Sequence, residues 1–313
     1  MSVRLPLGRW GEMPWRPVWR HQPGFASVGV MTQMLPTPRL LADGFVMVEL
    51  GRWHNGRLWF ADWGAGEVVA VDLLGQTEVM APGRTTMGWA IDWLPNGGLL
   101  VSGKDLALIH PNGSTERYSG QGGNEVVVDL AGHVYVNGAD FDFAGGGEPV
   151  PGWIRLVAPD GTTREVAGGI EFPNGMVVTP DGSTLVIAES FAGRLSAFDI
   201  GDDGSLSGRR TWAEGLGPDG ICIDNTGGIW SQTADTFAHT RVQGAPAGAV
   251  VRVLDGGEIT HRVETDVPCF SCAVGGPEGR QLFLLCNEFE GVDQLTAVRA
   301  RRSARIYVTE LPA

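Results

Sequence analysis

The chain has 313 residues, 43 % of them hydrophobic and 19 % charged, which is enough apolar surface for a large core in one all-β domain. Its net charge of -13 argues against a nucleic-acid partner, and no apolar run approaches the ~20 residues needed to cross a bilayer. Gly 47 and Pro 19, spread evenly, mark many short strands and tight turns rather than disorder.

The first thirty residues differ from the rest. Arg4, Arg9, Arg16 and Arg20 face one acid, Glu12, and Trp10, Trp15 and Trp19 are crowded among prolines. The stretch lacks the apolar core of a secretory signal. Residues 1–34 are expected to be a dispensable extension and residues 35–313 the folded domain, with Met31 or Met34 as alternative starts.

From Arg39 onward a unit repeats: an apolar strand, an Asn/Asp-Gly turn, a second apolar strand. It reads WHNGRLWFADW at Trp53, DWLPNGGLLVS at Asp92, VDLAGHVYVNG at Val128, VTPDGSTLVIAES at Val178, IDNTGGIWSQT at Ile223 and VGGPEGRQLFLLC at Val274. The turn glycines are Gly56, Gly97, Gly132, Gly182, Gly227 and Gly279, a spacing of roughly 35–50 residues that matches the blades of a propeller. Weaker outer hairpins (HPNGSTERYS, APDGTTREVA, DIGDDGSLSGRR) fall between them. No segment keeps a 3.6-residue apolar period, so a βαβ fold is unsupported. The expectation is an all-β, six-bladed β-propeller. Residues near Phe45–Val48 are expected to complete the blade begun at Val274, which removes the open edge.

In such a ring, a polar residue at the start of an inner strand points toward the axis. Four starts carry one: Glu49, Asn124, Asn174 and Asp219. Asn174 and Asp219 share the form Pro-polar-Gly-apolar, one blade apart. Two carboxylates and two amides give an all-oxygen site suited to a hard divalent cation. Cys269 and Cys272 form a C-x-x-C, but VPCFSCAV reads as a buried strand with no second pair at zinc-finger spacing, so core packing is expected. The cytosol is the default compartment. The Asp140 stretch DFDFAGGGEP reads as a loop over the channel mouth, with His239 as another loop residue. Gly-x-Ser-x-Gly is absent, so a serine hydrolase is not expected.

The stretches GRWHNGRLWFADW, EFPNGMVVTPDGSTLVIAESFAGRLSAFDI, GPDGICIDNTGGIW and CFSCAVGGP resemble the gluconolactonase family that includes regucalcin and luciferin-regenerating enzyme. The resemblance implies a propeller with one divalent metal (Ca, Mg, Mn or Zn) on the axis, held by Glu49, Asn174 and Asp219, with Asn124 contacting a small-molecule substrate. It implies a metal-dependent lactone or ester hydrolase with Asp219 as general base and Glu125 in reserve. A metal-dependent isomerase, dehydratase or cyclase, and a non-catalytic binding propeller, are the alternatives. Three positions depart from the family pattern. Glu49-Leu50-Gly51 replaces Glu-Gly-Pro, Asn124-Glu125 replaces Asn-Asp, and Gly122 stands where sugar-lactone enzymes carry Arg. Gly122 and Glu125 are therefore expected beside the substrate, and Gly122 is expected to leave room for a less polar or bulkier one.

Overall fold

The computed structural model describes residues 32–84, 87–141, 147–237, 247–288 and 299–312. The expected extension before Thr32, the loop residues 142–146 and His239 lie outside these residues.

Strands β1 (Gln33–Met34) and β2 (Arg39–Phe45) precede the first full blade. Blade 1 is β3 (Val48–His54), β4 (Arg57–Asp62), β5 (Glu67–Val71) and β6 (Thr77–Pro82). Blade 2 is β7 (Ile91–Trp93), β8 (Leu99–Val101), β9 (Leu106–Ile109) and β10 (Thr115–Ser119). Blade 3 is β11 (Glu125–Val128), β12 (Val134–Gly138), β13 (Gly152–Val157) and β14 (Thr163–Ile170). Blade 4 is β15 (Pro173–Val178), β16 (Thr184–Glu189), β17 (Arg194–Ile200) and β18 (Leu206–Glu214). Blade 5 is β19 (Cys222–Ile223), β20 (Ile229–Gln232), β21 (Gly248–Val253) and β22 (Ile259–Thr265). Blade 6 is β23 (Cys269–Gly275), β24 (Gln281–Cys286) and β25 (Ala304–Glu310).

Within each blade consecutive strands pair antiparallel, and the sixth sheet runs β2-β25-β24-β23. The N-terminal strand therefore does close the ring, but from Arg39 to Phe45 rather than at Phe45–Val48. Val48 already belongs to the inner strand of blade 1. Asp43-Gly44 has the composition of a hairpin turn, yet here Gly44 (φ 82) sits at a register shift inside β2 and the strand runs on to Phe45. Gln33 and Met34 add a parallel fifth strand to blade 5, opposite His261 and Arg262.

Every blade is apolar on both faces because successive residues of a strand point to opposite sides. In β16, Leu185 and Ile187 pack toward Tyr135 and Ile154 of blade 3, while Val186 and Ala188 pack toward Ile229 and Val251 of blade 5. Six such clusters fill the six interfaces around the ring. The four cysteines are free and buried between blades 5 and 6, with Cys222 Sγ 3.2 Å from Cys272 Sγ and Cys269 opposite Cys286. That agrees with the packing role expected of Cys269 and Cys272. Among the described residues no helix is long and apolar enough to cross a membrane.

Candidate functional site

The inner strands β3, β11, β15 and β19 bring the four expected residues to one end of the axis. Glu49 is the second residue of β3 and only 2 % exposed. Asn124 directly precedes β11, Asn174 is the second residue of β15, and Asp219 lies just before β19. The Pro-polar-Gly form has a steric reason. Gly175 N–H donates to Asp219 O (3.0 Å), and a Cβ on Gly175 would lie 2.5 Å from Ile221 N. Only glycine lets the two inner strands meet there.

Leu50, which follows Glu49, has φ 55, and Phe172, two residues before Asn174, has φ 58. Left-handed backbone at a bulky residue costs roughly 1–3 kcal/mol and persists only where the surroundings enforce it. Leu50 and Gly51 together face a single partner residue in β4, a bulge that breaks the ladder immediately after Glu49. Strain and bulge thus flank two of the expected ligands.

Burial dominates the electrostatics of the three acids at the site. Burial, reinforced by the charges of Asp219 and Glu125, raises the Glu49 carboxyl well above its ordinary range. Burial raises Asp219 to about 7; a hydrogen bond from Asn174 works against this and the Glu125 charge adds to it. Burial also raises Glu125 to about 7, although Arg52 opposes it. The Arg52 guanidinium donates to Glu125 Oε1 (3.0 Å) and to Val126 O (3.2 Å). The other oxygen of Glu125 is buried without a hydrogen-bond partner. Among the described residues no three His, Cys, Asp or Glu side chains gather closely enough to hold a metal by themselves. The donor set of Glu49, Asn174 and Asp219 is two carboxylates and an amide, and its chemistry fits a hard divalent cation, which would neutralise the charge that burial leaves exposed to repulsion.

Asn124 lines a cleft of about 380 Å³ together with Gly122, Lys104, Asp140, Trp153 and Arg155. Here one expectation is corrected. Gly122 opens no extra room, because a Cβ there would lie 2.4 Å from Asp105 O and 2.5 Å from Gly103 O. Gly122 contributes backbone to the wall, and the polar groups of the cleft come from other positions. Glu125 does not line this cleft; its carboxylate turns to Arg52. A second, apolar recess of about 250 Å³ opens further along the same inner strands, lined by Val127, Met176, Val178, Ile221, Ile223 and Arg52.

A second ring of residues was missed from sequence. At the end of the second strand of each blade stands one buried polar side chain: Asp62, Ser102, Asn137, Glu189, Gln232 and Asn287. Each holds backbone that enters an inner strand. Asn287 donates to Val48 O and accepts from Val48 N–H, both 2.8 Å, fixing the residue before Glu49. Gln232 accepts from Asp219 N–H (2.9 Å) and donates to Gly220 O (2.9 Å). Asn137 donates to Asn174 O (2.7 Å), and its own carbonyl accepts from Asn124 N–H (2.7 Å). The signal was present in the repeats as a polar residue closing each second apolar run (FAD, VS, VN, AE, SQ, CN).

Comparison with known proteins follows the same residues. The SMP-30/Gluconolactonase/LRE-like region matches residues 49–287, from the first expected ligand to the last of the buried clamps. The pentonolactonase XacC of Haloferax volcanii is 32 % identical over 277 residues, 81 % of this chain and 84 % of that protein. Among solved structures, a calcium-binding protein, regucalcin, of Agrobacterium tumefaciens superposes with a TM-score of 0.69 at 19 % identity, covering 91 % of this chain and 98 % of that one. A gluconolactonase of Xanthomonas campestris gives 0.65 at 19 % identity, covering 87 % and 89 %. The chain belongs to the SMP-30/gluconolactonase/LRE-like family.

Proposed function

We propose that this chain hydrolyses a lactone or closely related cyclic ester at the axial site, with a divalent cation (Ca, Mg, Mn or Zn) held by Glu49, Asn174 and Asp219. The observation that carries the reading is the buried group of acids whose charges repel one another beside an amide-lined cleft. The pentonolactonase and gluconolactonase among its relatives support the substrate class.

When bound, the cation supplies Lewis-acid polarisation of the ester carbonyl and stabilisation of the oxyanion. The rest falls to the chain's own residues. Asn124, held through its N–H by Asn137 O, orients the ring from the cleft wall. Asp219, which would hold the cation through one carboxylate oxygen, accepts a proton from the attacking water with the other. The same proton passes to the departing ring oxygen as the acyl C–O bond breaks, leaving an open-chain hydroxy acid. Gln232 fixes Asp219 through its backbone N–H, so the carboxylate is aimed before substrate arrives.

A panel of five- and six-membered lactones, assayed with added divalent cation and with chelator, tests the reading. Cation-dependent ring opening is expected. Full activity in chelator would remove the cation's role, and failure to open any lactone would remove the function.

A further inference from the structure

Resting on the lactonase reading, we propose that the cleft beside Asn124 is an anion subsite in which Lys104 and Arg155 bind a carboxylate carried by the substrate, so that the preferred substrate is an acidic lactone.

The cleft is basic in an acidic molecule. The whole chain carries -13, yet the charged side chains lining this cleft are Lys104, Arg155 and Asp140. Lys104 is the chain's single lysine. Elsewhere arginines serve the buried structural pairs, as Arg52 does with Glu125 and Arg194 with Glu189. Lys104 is exposed and makes no ion pair among the described residues. A flexible ammonium left free at the wall of a site is available to a ligand.

Arg155 is held differently. Its guanidinium lies over the Trp153 ring, 3.6 Å from the centroid. Trp153 in turn lies against Gly138, where a Cβ would come within 3.0 Å of the indole. A guanidinium held over an aromatic face can still make in-plane N–H bonds, which suit a planar carboxylate. The acid nearest to Arg155 is Asp140, at 3.9 Å and 75 % exposed. A contact that long and that wet contributes little and is readily exchanged for a ligand oxygen. Gly122 and Gly123, which carry no side chains, line the same cleft as the two cations and Asn124. The polarity missing at Gly122 thus re-enters from β13 and from the loop after β8.

The experiment compares D-glucaro-1,4-lactone, which carries a free carboxylate, with neutral D-glucono-1,4-lactone, in the cation-loaded full-length protein. Wild type should show the higher kcat/KM on the acidic lactone, through a lower KM. Arg155→Met and Lys104→Met should each lower the acidic-to-neutral ratio roughly ten-fold, as expected for one charge-assisted hydrogen bond. Lys104→Glu should invert the preference, and because Lys104 is exposed this variant folds even if Arg155→Met does not. Binding of both lactones by calorimetry gives the same ratio independently of turnover. A wild-type ratio at or below one, or a ratio unchanged in all variants, overturns the subsite while leaving lactone hydrolysis intact. If neither lactone is opened, the binding ratio alone decides the subsite, and the wider lactone panel decides the hydrolase reading.

Discussion

Two groups of buried carboxylates in this molecule differ in what surrounds them. Glu189, at the end of β16, is fully buried and satisfied. Arg194 donates to it at 3.0 and 3.1 Å, Arg209 at 2.8 Å and Glu171 N–H at 2.9 Å, and Ser196 donates to it as well. Burial would raise its carboxyl, but these donors outweigh burial and hold it at about 2. Glu49, Asp219 and Glu125, at the axis, are raised by the same burial; neighbouring carboxylates add to it, and Arg52 opposes it only at Glu125. A carboxylate that serves the fold is surrounded by donors. One kept ready for a cation or a proton is left short of them, and the fold bears the cost.

The sharpest way to break this contrast is to neutralise an axial acid. Asp219→Asn should lower kcat by about 10²–10⁴-fold even at saturating cation, the range for loss of a general base. Glu49→Gln should weaken cation binding strongly in calorimetry. Asn124→Ala should keep the cation and lose rate. Unchanged cation affinity in both carboxylate variants would show that the axial group is structural after all.

The next largest effect should come from Glu189→Ala. Removing it leaves Arg194 and Arg209 without their shared carboxylate. Both arginines are about a third exposed, so the loss should fall near the lower end of the range for a buried pair, about 3 kcal/mol in a denaturant melt. Activity per folded molecule should hold. A loss of turnover without a loss of stability would place Glu189 in the site.

The contrast also shows what could be read in the sequence. The placement of Glu49, Asn174, Asp219 and Asn124 was legible because each stands at the opening of an inner strand, and the repeat itself puts such positions around one axis. The six blades were legible from their turn glycines, all of which have positive φ in the structure. Arg52 was not legible. It sits in GRWHNG as one more polar residue before a turn, and its partner Glu125 is 73 residues away. Lys104 and Arg155 were missed for a related reason: they come from different blades and share no register with the axial residues. Gly122 was misread because absence of a side chain looks like space in a sequence, whereas here two carbonyl oxygens occupy it. The closing strand was misplaced because Asp43-Gly44 carries the composition of a turn, while the sheet uses it as a bulge.

A smaller effect has the opposite sign. In metal-free protein, Glu49→Gln or Asp219→Asn removes one of the mutually repelling buried charges. Stability at pH 8 should therefore rise, by up to about 1–3 kcal/mol given that one pKa unit is worth about 1.4 kcal/mol. The gain should disappear when wild type is loaded with cation. A metal-free variant less stable than metal-free wild type would mean that the axial acids hold the fold together as Glu189 does.

The last test varies pH, where the two groups should pull in opposite directions. An unfolded carboxylate titrates near 4. Glu189 is depressed to about 2, so its contribution is fully present above the unfolded value and is lost as pH falls through about 2. Asp219 and Glu125 are raised to about 7, and Glu49 is raised well above its usual range. Their folded state binds protons more readily than the unfolded chain, so that contribution is complete below about pH 4 and is lost as pH rises through about 7. In chelator, Tm should accordingly be highest near pH 4–5 and decline toward pH 8. Added cation competes with protons for the axial carboxylates, so the Tm gain it confers should grow over the same interval. Glu189→Ala should lose the acid-side dependence and keep the decline toward pH 8, whereas Asp219→Asn should flatten the decline and keep the acid side. If chelated wild type held a constant Tm from pH 5 to 8, the axial acids would already be compensated within the fold, and the distinction between the two groups would fail.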